Sequence, residues 1–494
     1  MKGENYTLIE LLEATASLSR AFGRVCRMAT LATLKIDSKP QFKALFVPEL
    51  QQLSGLFKKN GYEMRIAGGA VRDLLMGLTP ADVDFASTAT PPQMQEMFKR
   101  EKVRMLHKKG EEHGTVTCRI GEHNFEITTL RIDVLCDGRR AQVEYTKDWE
   151  LDAERRDLTI NSLFLDLDGN VIDYTGGIED IGKRRVAFVK DPATRICEDF
   201  LRILRYFRFF GRIADAAALH EEATLKAIID NKGGLAGVSA ERIWTELKRI
   251  VIGRLAPEVM ETMIVDCHLT DLLGLPPSSQ EHLDRYKRVY ARGKEAEKDV
   301  AVDGREFRLE SMTMVAALCS TREEVAKFHA KMKLSNAERE LGEFIVDHRD
   351  EAAKAVEKAQ RSVDDVASRR FWRRFVVSLF GPSAGKLQPD DSSRLRSRVI
   401  QLAITSSAPD AALIDILSFD VPHFPVTGID LMNAKVVKGP KMQFTKNFLF
   451  DLWIQSDFTL TKDKLLERAH DPSIPTPPSP KNLKRKRTPT WTEA

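Results

Sequence analysis

Nowhere does this chain carry eighteen consecutive apolar residues, so no segment reads as a membrane-spanning helix. Cysteine is scarce and scattered: Cys26, Cys118, Cys136, Cys197, Cys267 and Cys319 include no CxxC pair. That excludes a zinc ribbon or a disulfide framework and suits the reduced, buried thiols of an intracellular protein. No fixed-period repeat is present, which excludes a solenoid. A His-Asp cluster of the kind an appended phosphohydrolase needs is also missing. Asp and Glu are absent from residues 14–36, where Arg20, Arg24, Arg27 and Lys35 sit among Ala, Ser, Thr and Leu. This composition suits an amphipathic mitochondrial presequence, although Glu4, Glu10 and Glu13 fit one poorly and an ordinary leader is the alternative. Met28 offers a second start.

What is present is an ordinary globular composition over 494 residues, 43% hydrophobic and 30% charged, enough for two to four domains. A net charge of +4 is too small to name a partner; only its local distribution can. Residues 1–45 form the leader. From 46 to 185 strand-like and helix-like segments alternate, which predicts an α/β head with a small mixed sheet. After Pro192 β signals fade and amphipathic helical patterns run to about 465, a helical neck (186–255) and then a helical body and tail (256–465). Residues 466–494 read as a disordered, Pro/Ser/Thr-rich tail ending in the basic cluster Lys481–Arg487, an import-like signal or a solvated tail.

The densest chemistry lies in Ile66-Ala67-Gly68-Gly69-Ala70-Val71-Arg72-Asp73, followed by Asp82-Val83-Asp84-Phe85. The pattern predicts strand, glycine turn, helix, loop and strand. Gly68-Gly69 lets the backbone turn sharply against a ligand. The helix that follows presents N–H groups to an anion, with Arg72 as a planar fork. On a strand, Asp82 and Asp84 share one face. Two carboxylates beside a phosphate-binding turn suit Mg²⁺-dependent phosphoryl or nucleotidyl transfer.

Three more clusters follow. Asp152 to Phe164 has helical spacing and holds Arg155-Arg156-Asp157-Leu158-Thr159-Ile160-Asn161, either a solvated ion-pair face or a fork for phosphate with acceptors for ribose. Asp173-Tyr174-Thr175-Gly176-Gly177 reads as an architectural turn joining sheet to helices. Glu198-Asp199-Phe200-Leu201-Arg202-Ile203-Leu204-Arg205-Tyr206-Phe207-Arg208 is taken as one helix, with Asp199 and Arg202 on a common face. A carboxylate beside a guanidinium can read the edge of a base. Arg369 to Phe375 mixes basic and aromatic residues and is expected to be an amphipathic helix with Trp372 buried; RNA contact is the alternative.

In this order the motifs resemble those of the class II tRNA nucleotidyltransferases, the CCA-adding enzymes, in detail from Arg65 to about Leu247. The resemblance rests on GGxVRD with DxD, RRDxTxN, D-x-x-GG-x-x-D, EDxxRxLR and Gly237-Val238-Ser239-Ala240-Glu241-Arg242, with Thr427–Leu431 and Lys438-Gly439-Pro440 as further family features. The leader and His113–Arg131 point to the eukaryotic branch. It implies template-independent addition of CCA to the tRNA 3′ end from CTP and ATP. Asp82 and Asp84 would hold two Mg²⁺ ions, about 3.5–4 Å apart in such sites, with Glu126 as a third acidic residue. Gly69, Arg72 and Arg156 would bind the triphosphate and Asp157 the ribose, with Gly68 and Asp73 also in the nucleotide site. Asp199 and Arg202 would act as the protein template, with Arg205 and Arg208 supporting the template or the phosphates. Asp137-Gly138-Arg139-Arg140 resembles the loop that helps the switch from C to A. The helical half would hold tRNA, without a membrane, in mitochondria with cytosolic and nuclear pools. Rival readings are a bacterial-type poly(A) polymerase, whose basic run the residues His107–Gly114 do not match, an enzyme adding only CC or only A, and a catalytically dead RNA-binding relative.

Overall fold

A computed structural model describes residues 34–106, 114–136, 141–215, 220–277, 279–302, 304–361, 365–382 and 389–475. The leader with Met28, most of His107–Gly114, Asp137–Arg140 and the Lys481–Arg487 cluster lie outside these described residues. The chain divides into two compact units between Leu272 and Leu273. No described helix is long and apolar enough to cross a membrane.

The first unit is built on an eight-stranded mixed sheet. Its strands are β1 (Leu34–Lys35), β2 (Met64–Ala67), β3 (Asp84–Ser87), β4 (Arg104–Leu106), β5 (Thr115–Ile120), β6 (His123–Thr129), β9 (Phe164–Leu165) and β10 (Asn170–Ile172), ordered β1-β10-β9-β2-β3-β6-β5-β4. β7 (Arg131–Cys136) and β8 (Ala141–Tyr145) form a separate hairpin. Every pairing in the large sheet is antiparallel except β3 with β6, where Asp84 lies in register with Glu126 and Phe85 with Ile127. A parallel pair needs a long crossover. Helix α1 (Pro91–Arg100), β4 and β5 supply it. Thr90 and Gln93 close a capping box at the start of α1, with Pro91 at its first position. Strands β5 and β6 form a hairpin closed by Gly121-Glu122. Both faces of the sheet are covered: Ile66, Phe85, Ile127 and Leu165 line one and are almost fully buried, while Ala67, Ala86 and Phe164 pack with Trp149 on the other.

Two helical expectations fail. Asp152–Phe164 is not one helix. Helix α2 (Trp149–Glu154) stops before the arginines, a single 3₁₀ turn spans Thr159–Asn161, and β9 begins at Phe164. Tertiary hydrogen bonds override the periodicity, since Thr159 N–H donates to Ala187 O and Val189 N–H to Asp157 O. Nor is Glu198–Arg208 continuous. Helix α3 (Pro192–Glu198) ends at Asp199, whose backbone is extended at φ −153° and ψ 105°, and α4 (Arg202–Ile213) starts afresh. The Asp173 turn is architectural as expected: its carboxylate accepts from the N–H groups of Thr175, Gly176, Gly177 and Ile178.

Among its described residues the second unit is helical apart from a short hairpin, Ala301–Val302 with Arg305–Glu306. Asp365–Phe380 is the amphipathic helix expected there, with Trp372 fully buried. Its arginines pair within the protein: Arg373 makes two bonds to Asp415, and Arg370 and Arg374 meet Asp457.

Candidate active site

The glycine turn folds as its sequence requires. Gly68 adopts φ 65° and ψ −117°, a conformation open to glycine and strained for other residues. A Cβ there would lie 3.0 Å from Arg156 Nη1 and 3.2 Å from Asn161 O. The turn therefore lets Arg156 come up against the backbone. Helix α5 (Gly69–Leu75) begins immediately afterwards.

Asp84 opens β3, and Asp82 lies two residues before it in the loop, so the shared strand face expected for the pair is not formed by strand geometry. They nevertheless sense each other. Partial burial, then the charge of Asp82, raises the Asp84 pKa above the ordinary carboxylate value, and Arg156 opposes the shift. Among the described residues neither carboxylate has an ion-pair partner. Glu126 is exposed and neighbours Asp84 across the parallel pair. No described group of three or more His, Cys, Asp or Glu converges tightly enough to hold a metal unaided. Mg²⁺ does not require such a cage. It binds through one or two carboxylates, substrate phosphates and water, and an all-oxygen pair of mutually repelling carboxylates fits it.

The remaining residues form a ring of hydrogen bonds. Arg212 Nη2 donates to Asp73 Oδ2 at 2.9 Å, and Arg72 donates through Nε and Nη2 to Asp73 Oδ1 at 3.0 and 2.9 Å. Arg72 Nη1 meets Asn161 Oδ1 at 2.5 Å, Asn161 Nδ2 reaches Asp157 Oδ1 at 3.4 Å, and Arg205 Nε donates to Asp157 Oδ2 at 2.5 Å. Arg205 and Arg212 both lie on α4, so the ring closes. At its centre the Phe209 ring has the guanidinium carbons of Arg72, Arg205 and Arg208 at 4.8, 5.5 and 4.3 Å. Burial opposes ionisation of Asp157, but the charge and hydrogen bond of Arg205 outweigh it and hold the carboxyl at about 2. Burial pulls Arg208 down to about 10, against the raising effect of Glu246. Arg72, Asp73 and Asp157 are buried and bonded to one another, rather than offered as free forks.

Asp199 and Arg202, the pair expected to read the base, sit at the break between α3 and α4. Asp199 Oδ1 accepts from Leu201 N–H at 3.2 Å and Oδ2 from Arg242 Nη2 at 2.7 Å. Arg202 bonds Glu198 at 2.5 Å and the carbonyls of Arg195 and Arg155 at 2.9 and 3.1 Å. Arg155 and Arg156 are both held by Asp152, which is buried. The structure thus brings Gly68, Arg156, Asp82, Asp84 and Glu126 into one neighbourhood and links Arg72, Asp73, Asp157, Arg205 and Arg208 in another.

A sequence profile described as the poly A polymerase head domain matches residues 64–187. That match runs from β2 past β10, taking in the glycine turn and the Arg155–Asn161 cluster, and ends before α3. The mitochondrial CCA tRNA nucleotidyltransferase 1 of Homo sapiens is 41% identical over 450 residues, 91% of this chain and 96% of the human protein. The chain belongs to the CCA tRNA nucleotidyltransferase family. The Danio rerio member, also named mitochondrial, is 40% identical over 441 residues, 89% of this chain and 94% of its own length. The Bacillus stearothermophilus CCA-adding enzyme, solved in complex with CTP, shares the fold with a TM-score of 0.64 at 23% identity, covering 87% of this chain and 97% of that one. The fold is therefore that of the CCA-adding enzymes, with a nucleotidyltransferase head and helices beyond it.

Four residues that hold the site's side chains do not stand out in the sequence: Asp152, Arg195, Arg212 and Glu246. Arg242 stands there only as part of a motif. Asp152 carried a signal, being three and four residues before the two arginines on helical spacing. Arg242 and Glu246 also show one, lying four apart on α6 (Ala240–Ile250), where they meet Asp199 and Arg208. Arg212 showed none, because its partner is 139 residues away.

Proposed function

We propose that this protein completes the CCA end of tRNA from CTP and ATP, without a nucleic-acid template. The observation that carries the reading is the Asp82/Asp84 couple, without an ion-pair partner among the described residues and with the Asp84 pKa raised by partial burial and then by Asp82, beside Arg156 and the glycine turn. The 3′-hydroxyl oxygen of the tRNA attacks the α-phosphorus, the bond to the bridging oxygen breaks, and pyrophosphate leaves as the hydroxyl proton passes to solvent. Asp82 and Asp84, with Glu126 alongside, would hold Mg²⁺, which lowers the pKa of the attacking hydroxyl and neutralises charge on the departing group. Arg156 and the N–H groups of the glycine turn hold the triphosphate. Arg72, Asp73, Asp157, Arg205 and Arg208 act chiefly as the frame around them.

Asp199 and Arg202 read the base. Cytosine and adenine each present an exocyclic amino donor where uracil and guanine present a carbonyl oxygen. An ionised Asp accepts and cannot donate, so it favours the first pair. The acid-free residues 14–36 and the mitochondrial relatives support import into mitochondria, with cytosolic and nuclear pools from a shorter product beginning at Met28.

The test is an extension assay with purified protein, Mg²⁺ and a tRNA transcript ending at the discriminator base. Two additions with CTP alone and three with CTP and ATP are expected. Long A tails would move the assignment to a poly(A) polymerase, a stop at two would mark a CC-adding enzyme, extension only of a transcript already ending in CC would mark an A-adding one, and no extension of either transcript would favour a lapsed RNA-binding relative. Asp82→Ala is expected to abolish transfer while keeping tRNA binding.

A further inference from the structure

α4 touches the catalytic frame at two points. Arg205, one turn from the base-reading end, holds Asp157, and Arg212, seven residues on along the same face, holds Asp73. Asp73 is buried and belongs to α5, the helix that starts at Gly69, four residues earlier. One of its oxygens is taken by Arg72 and the other by Arg212. The Arg212 side chain is about half exposed, 48% against 10% for Asp73, so the pair contributes little to global stability. Its geometric effect is larger. Without Arg212 the ring opens at one joint, and α5 stays tied to α4 by the stacking of Arg72 on Phe209 and, indirectly, through Asn161 and Asp157.

We propose that Arg212 is a positioning residue for nucleotidyl transfer, holding the glycine turn in fixed relation to the base-reading end of α4. A base held at Asp199 and Arg202 then has its α-phosphate delivered to the same place beside Asp84, whichever nucleotide is bound. Arg212 is not among the residues proposed to touch the nucleotide, so its effect is on rate and not on choice. This inference rests on the proposed function for its kinetic readout.

Arg212→Gln keeps a long polar side chain but loses the charge. It is expected to lower kcat for C and A addition alike, by about tenfold, with the KM for CTP and ATP and the rejection of UTP and GTP unchanged. Arg212→Lys, which restores a cation, is expected to recover part of the rate. A purely structural ion pair would instead shift the melting temperature and leave kcat of the folded protein intact. Hydrogen exchange in the substrate-free protein gives a second readout that does not depend on the reaction. In Arg212→Gln the amides of Gly69–Leu75 should exchange several-fold faster, while those of Ala240–Ile250 stay as in the parent. Unchanged exchange in Gly69–Leu75 or an unchanged kcat would each overturn the role of Arg212. A parent protein that extends no tRNA would overturn the proposed function alone, since the exchange result still decides the coupling.

Discussion

Asp157 is the residue whose ionisation the fold depends on most clearly. Its pKa in the folded chain, about 2, lies below the roughly 3.9 of a free Asp. The stabilisation is therefore complete above about pH 4 and is lost as pH falls towards 2, on the order of 2 kcal/mol in all. Asp157→Asn should remove that slope, so its urea midpoint between pH 5 and 2 should fall less steeply than that of the parent. Parallel curves would show that the Arg205 pair does not stabilise the ionised form. Asp157→Ala is more severe, because Arg205 then keeps only a distant Glu246, with 3.9 Å between Nη1 and Oε1. Breaking a buried pair from one side costs about 3–5 kcal/mol, and the partial exposure of Arg205 puts this case near the lower figure.

The break between α3 and α4 is held from outside. Phe200, inside the break, packs on Gly234, where a Cβ would stand 2.2 Å from the ring. Gly234→Ala should push Phe200 aside and cost about 1–3 kcal/mol, as overpacking does. Because Asp199 precedes Phe200, the same variant should also weaken preference for CTP over UTP in single-addition assays; a stability loss with preference intact would mean that Arg242 alone positions Asp199. This break also marks where sequence reading stopped. The glycine turn is local in sequence, and Gly68-Gly69 ahead of a helical pattern is enough to read it. Glu198–Arg208 has unbroken helical periodicity, and what interrupts it is remote: Gly234, Arg242, and the bonds from Arg195 to the carbonyls of Arg155 and Arg156. Site residues were found where a motif kept them together; the ring joining Asp73, Asn161, Asp157 and Arg212 was invisible because its members are brought together only by folding.

Across the whole molecule, the change of composition near residue 185 and the division between Leu272 and Leu273 mark different things. The first records where strands give way to helices. The second records where packing divides, and it leaves the neck helices α3, α4 and α6 with the sheet to which the ring fastens them. Each unit has its own apolar cluster, Trp149 and Phe164 among the first and Leu449, Phe450 and Trp453 among the second. All residues proposed to touch the nucleotide, from Gly68 to Arg202, precede the division. A ligand stabilises what it binds by RT ln(1 + [L]/Kd), about 2.7 kcal/mol at a hundredfold excess over Kd. Scanning calorimetry of the full chain with CTP and Mg²⁺ should therefore resolve two transitions and move one upward while the other stays. Asp199→Ala should shrink the CTP shift, since the base then loses its acceptor. A tRNA held by the helical half as well should move both transitions. If CTP alone raised both by the same amount, the two units would be unfolding as one cooperative body, and stability effects of site variants would have to be read for the whole chain instead of for its first 272 residues.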